Sequence, residues 1–78
     1  MQTYIAFLRG INVGGRNKMP MLALRQALET SGFKNVRTYI QSGNVVFESG
    51  LGSADVITTS IKKTIQDTFG CSVPVMVI

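Results

Sequence analysis

The chain has 78 residues, 45 % of them hydrophobic and 15 % charged, with eight Lys and Arg against four Asp and Glu for a net charge of +4. That apolar fraction excludes a disordered polypeptide of low hydrophobicity and high charge. No apolar run approaches the ~18–20 residues that span a bilayer, and the opening Met1-Gln2-Thr3-Tyr4 does not read as a secretory leader. Histidine is absent and Cys71 is the single cysteine, which excludes a His-based triad, a two-His metal site and an intrachain disulfide. Neither a metal nor another cofactor is therefore expected. A domain of this size buries only about 60–65 % of its extended-chain surface. With its terminal apolar run Val73-Pro74-Val75-Met76-Val77-Ile78, the chain reads as one domain, the N-terminal half of a longer protein.

Residues Thr3–Leu8 (TYIAFL) are β-rich and apolar and predict a first strand. Arg9–Lys18 (RGINVGGRNK) combines three Gly, two Asn and three basic residues, the composition of a loop. Pro20 suits the first turn of a helix, and Met21, Leu24 and Leu28 follow at helical spacing, with Gly32 placed to end it, so a helix is expected over about Met21–Ser31.

Val36–Gln41 and Asn44–Glu48 predict two strands joined through Ser42-Gly43 as a two-residue hairpin. That register pairs Gln41 with Asn44, Tyr39 with Val46, and Arg37 with Glu48 on one face. Val36, Thr38, Ile40, Val45 and Phe47 fall on the more apolar face. After Ser49–Ser53, Ser53 is a candidate N-cap and Asp55 complements the helix dipole. Ile57, Ile61, Ile65 and Phe69 recur every four residues, and Gly70 ends this second helix. Val73–Ile78 predicts a fourth strand, which Pro74 assigns to a sheet edge. The order β-α-β-β-α-β is that of an α+β, ferredoxin-like unit: a four-stranded antiparallel sheet with two helices on one face.

In this topology the loop after the first strand, the hairpin after the second, the start of the first helix and the turn at Gly70–Ser72 emerge at one end of the sheet. Gly10, Gly14 and Gly15 there allow backbone N–H groups to form an anion-binding concavity. Arg9, Arg16 and Lys18 add positive charge, and Asn12, Gln41 and Asn44 add amides that donate and accept. This set suits a small phosphate- or carboxylate-bearing ligand. The spacing is neither of the common phosphate-loop patterns. The alternative is a solvated loop whose Gly and Asn only make turns.

LRGINVGGRNK (Leu8–Lys18) and YIQSGNVVF (Tyr39–Phe47) resemble the signatures of the bacterial family called domain of unknown function 1697. Met19–Val36 is similar to its first helix and Phe69–Ile78 to its fourth strand. The resemblance implies a cytoplasmic bacterial protein with a ferredoxin-like unit in a chain about twice this length. It supplies no reaction. The residues matching its motifs are Arg9, Gly10, Asn12, Gly14, Gly15, Lys18, Gln41, Ser42, Gly43 and Asn44, nearly the set that the topology brings together.

Other residues read as structural. Cys71 and Ser42 lack a base to activate them and fit a small, partly buried thiol and an ordinary turn. Glu29, Glu48, Asp55 and Asp67 are dispersed and suggest no metal cluster or carboxylate pair, and Lys62-Lys63 reads as a solvated helix face. An RNA-stacking sheet is not expected, because Asn44–Phe47 (NVVF) lacks the Gly/aromatic pattern that such a third strand carries. Strand one is apolar on both faces, with Ile5 and Phe7 opposite Tyr4, Ala6 and Leu8. The open face of the sheet is therefore expected to be covered by the remainder of a longer protein or by a second copy. This interaction module is the alternative to the ligand-binding reading.

Overall fold

The computed structural model describes residues 1–10, 19–39 and 43–78. The elements are β1 (Gln2–Leu8), α1 (Met21–Thr30), β2 (Lys34–Tyr39), β3 (Asn44–Ser49), α2 (Ala54–Phe69) and β4 (Val75–Val77). The strands form one sheet in the order β2-β3-β1-β4, with every neighbouring pair antiparallel. This is the expected ferredoxin-like α+β unit.

Period-two alternation decides which side of each strand enters the core. Ala6 and Leu8 of β1, Val36 of β2 and Val45 and Phe47 of β3 are buried. They meet Leu24 and Leu28 of α1 and Ile57, Ile61 and Ile65 of α2 in one cluster. Phe47 is its centre. Its ring stacks on Tyr4 at 6.0 Å between centroids and meets Phe33 edge-on at 5.0 Å.

The helix ends follow from local chemistry. Gly70 closes α2 in the left-handed conformation with φ 69°, and its N–H donates to the Gln66 carbonyl at 2.9 Å. This is the role for which glycine is favoured. Ser53 holds the N-cap position of α2, but its side chain makes no capping hydrogen bond. Pro20 is the N-cap residue of α1. Met19 just before it and Leu24 four positions into the helix are both fully buried, the placement of a hydrophobic staple.

The hairpin register departs from the expected one. Tyr39 pairs with Asn44, Thr38 with Val45 and Arg37 with Val46, and residues 40–42 between these strands lie outside the described residues. The expected partners of Tyr39 and Arg37 are thus displaced by two residues, and Gln41 lies outside the described residues. A displacement of two keeps every side chain on its own face, so the core residues are unaffected. One extra residue of β2 is accommodated between Lys34, opposite Glu48, and Arg37. Asn35 within this bulge adopts φ 50°, a left-handed conformation that asparagine tolerates better than most residues. Its Nδ2 donates to Glu48 Oε2 at 2.8 Å, so Glu48 is satisfied by Asn35 and not by Arg37.

β4 is shorter than Val73–Ile78. Val73 is a core residue, Pro74 precedes the strand, and β4 lies at the sheet edge. Ile5 and Ile78 exchange backbone hydrogen bonds of 3.1 and 2.9 Å beyond its assigned end. No helix among the described residues is long and apolar enough to cross a membrane.

Candidate functional site

The end of the sheet at which β1 finishes is held together by backbone hydrogen bonds from two directions. Leu8 N–H donates to the Gly43 carbonyl at 2.9 Å, and Arg9 N–H donates to the Pro74 carbonyl at 3.1 Å. Arg9 therefore leaves β1 between the exit of the β2–β3 connection and the entry of β4. Gly10 follows with φ 70°, and Gly43 has φ 66°. At both positions a side chain would strain the backbone. Of the anticipated convergence of Arg9–Lys18, Gln41–Asn44, the start of α1 and the turn around Cys71, the described backbone shows the bonds from Leu8 to Gly43 and from Arg9 to Pro74.

Of the candidate ligand-binding residues, Arg9, Gly10, Gly43 and Asn44 come together here. Asn12, Gly14, Gly15, Arg16, Lys18, Gln41 and Ser42 lie outside the described residues. Asn44 sits on the open face, opposite Phe7 of β1 and Tyr39 of β2. Its Oδ1 is enclosed and accepts no hydrogen bond among the described residues. An enclosed acceptor without a donor costs about 1–3 kcal/mol, so such groups are uncommon in folded proteins. The sequence marks Asn44 as one polar residue among several. Its enclosure is a property of the folded chain that the sequence does not announce.

Cys71 lies near this end, partly buried against the core, and its thiol contacts the Phe69 carbonyl at 3.6 Å. Its surroundings are those of a small packing residue. Met19 is the residue here that sequence reading missed. Its signal is an apolar side chain directly before a helix start.

Two concavities elsewhere contain paired side chains. A groove of 680 Å³ between α1 and α2 contains Lys63 and Asp67, paired at 3.7 Å, and Ser31 and Thr64, whose hydroxyls are 2.9 Å apart. A cleft of 410 Å³ at the β2 edge contains Arg25 and Glu29, paired at 3.8 Å, beside Asn35 and Glu48. Among the described residues, no group of three or more His, Cys, Asp or Glu could hold a metal ion.

The fold and its loop end define a ferredoxin-like α+β unit with a polar, glycine-containing junction beside β1. The family described as "Protein of unknown function (DUF1697)" matches residues 1–78, and the chain belongs to that family. A similar solved structure is that of the conserved bacterial protein SP0830 from Streptococcus pneumoniae, 33 % identical, with a TM-score of 0.82. The match covers 97 % of this chain and 42 % of that one, so the chain spans less than half the length of this relative. No curated protein matches significantly.

Proposed function

We propose that this unit binds a small anionic or phosphate-bearing ligand at the junction of β1, the β2–β3 connection and the β4 entry. The carrying observation is the enclosed Oδ1 of Asn44, without a donor among the described residues, near the backbone bonds of Leu8 to Gly43 and Arg9 to Pro74. Arg9 supplies charge, with Arg16 and Lys18 of the same sequence motif, and the glycines supply backbone N–H groups. Asn44 calls for a ligand that pairs its anionic group with a hydrogen-bond donor. In this reading the chain is the N-terminal unit of a longer cytoplasmic bacterial protein. The 42 % share of the solved bacterial relative supports the longer length.

A thermal-shift series with nucleotides, sugar phosphates and simple anions tests the proposal. A ligand at 100 times its Kd adds about 2.7 kcal/mol to native-state stability. The expected result is a raised Tm that disappears in an Arg9→Ala/Lys18→Ala variant with an unchanged ligand-free Tm. No response to any member of the series, or an equal response in the variant, refutes it.

A second reading, docking of a polypeptide on the open sheet face, is favoured by a different observation. Ile5, Tyr39, Met76 and Ile78 all lie on that face and are 38 %, 52 %, 56 % and 68 % exposed. Asn44 lies on the same face, so the two readings share its surroundings.

A further inference from the structure

The open face of the sheet carries three cross-strand rows. Lys34, Glu48 and Thr3 form the first, through the pairs Lys34–Glu48 and Thr3–Glu48. Arg37, Val46, Ile5 and Ile78 form the second, with Ile5 bonded to Ile78. Tyr39, Asn44, Phe7 and Met76 form the third. The charged groups, Lys34, Glu48 and Arg37, all lie on the β2 side. The side over β1 and β4 is apolar, and Ile5, Met76 and Ile78 stand exposed on it.

The size of the face limits what can cover it. Four strands at ~4.8 Å spacing and about six residues at ~3.3 Å give roughly 400 Å². Two separate molecules need about 800 Å² per partner for a stable pair. Domains of one polypeptide pack through about 600–1,500 Å² in total, or roughly 300–750 Å² a side. A tethered body needs less contact because it is already present at an effective concentration on the order of mM. This face is therefore half the size a free partner requires and within the range of a tethered one. The solved Streptococcus pneumoniae relative has such a body to offer. The greater part of that chain lies outside the match, a stretch longer than the matched unit itself.

Resting on the docking reading, we infer that the open face is covered by the further polypeptide of a longer chain, packed over β1 and β4, and not by a separate molecule. The rows set the chemistry of the occupant. It presents aliphatic or aromatic side chains to Ile5, Phe7, Met76 and Ile78. It leaves Lys34, Glu48 and Arg37 in water at its border, because burying an unpaired charge there would cost more than the contact returns.

Thiol labelling read site by site by mass spectrometry tests this on two intact proteins. Ile5→Cys, Met76→Cys and Leu22→Cys are made in this chain, and cysteine is placed at the three aligned positions of the Streptococcus pneumoniae relative. Ile78→Cys, at an exposed edge position, replaces either sheet variant that fails to fold by circular dichroism. In this chain all three sites should label at similar rates. In the relative, the two sheet positions should label at least about tenfold more slowly than the position aligned with Leu22, which lies on the exposed side of α1. Equal rates at all three positions of the relative overturn the inference. Labelling of this chain alone, from about 10 µM to 1 mM, separates that failure from failure of the docking reading. Protection of Ile5→Cys and Met76→Cys that grows with concentration keeps docking, by a second copy, and overturns the tethered occupant. Free labelling of the sheet positions in both proteins at every concentration rejects both.

Discussion

Phe33 meets Phe47 edge-on at 5.0 Å, joining the entry of β2 to the centre of the sheet. Phe47 also stacks on Tyr4 of β1, so one ring links β1, β3 and the segment leading into β2. Truncating a buried phenylalanine costs about 3–5 kcal/mol, and at 0.05–0.15 kcal/mol per residue a chain this small holds about 4–12 kcal/mol in all. Phe47→Ala should therefore remove about a quarter or more of the stability. Urea titration followed by circular dichroism checks this. A loss below about 1 kcal/mol would mean the ring is not central to the packing.

The bulge in β2 separates two hypotheses about register. Asn35 combines φ 50° with a hydrogen bond to Glu48, whereas Arg37 faces Val46. Asn35→Ala should destabilise by about 1–2 kcal/mol through the left-handed backbone and the lost bond. Arg37→Ala should stay within about 0.5 kcal/mol, as exposed positions without a specific partner do. The reverse order, read from denaturant midpoints at constant m-value, would restore the Arg37–Glu48 pairing.

Asn44 offers a trade between stability and binding. Replacing an enclosed, donorless amide by an apolar side chain of similar volume removes an unsatisfied group. Asn44→Leu should raise the stability of the ligand-free chain by about 1 kcal/mol, or roughly 4–8 °C in Tm for a domain of this size. The same variant should lose the thermal response to any anionic ligand that the wild-type chain binds. Calorimetry of both proteins supplies the comparison, and a clear fall in Tm for Asn44→Leu would mean that the amide has a donor in solution.

Gly70 ends α2 at φ 69°, with open space where a Cβ would sit. The cost of Gly70→Ala is then conformational and not steric, about 1–2 kcal/mol. Gly70→Asn should recover part of it, because asparagine tolerates this region. Equal losses for both variants in thermal unfolding would point to a packing role for the turn instead.

Local periodicity by itself determined the element order and the inward faces. Ile57, Ile61 and Ile65 lie at four-residue steps, and Val45 and Phe47 at a two-residue step, so each element declares its buried side before it meets another. The topology of the loop end follows from that order, which is why Arg9, Gly10, Gly43 and Asn44 could be grouped from the chain alone. The β2–β3 register could not be fixed in this way. Sliding one strand by two residues leaves the apolar alternation unchanged, and the observed register is accompanied by the bulge at Asn35. Only the assembled tertiary structure decided the burial of Met19 ahead of α1, the enclosure of Asn44 Oδ1 and the exposure of Ile5. Those properties belong to the packing of elements distant in sequence, and no local pattern encodes how completely one element covers another.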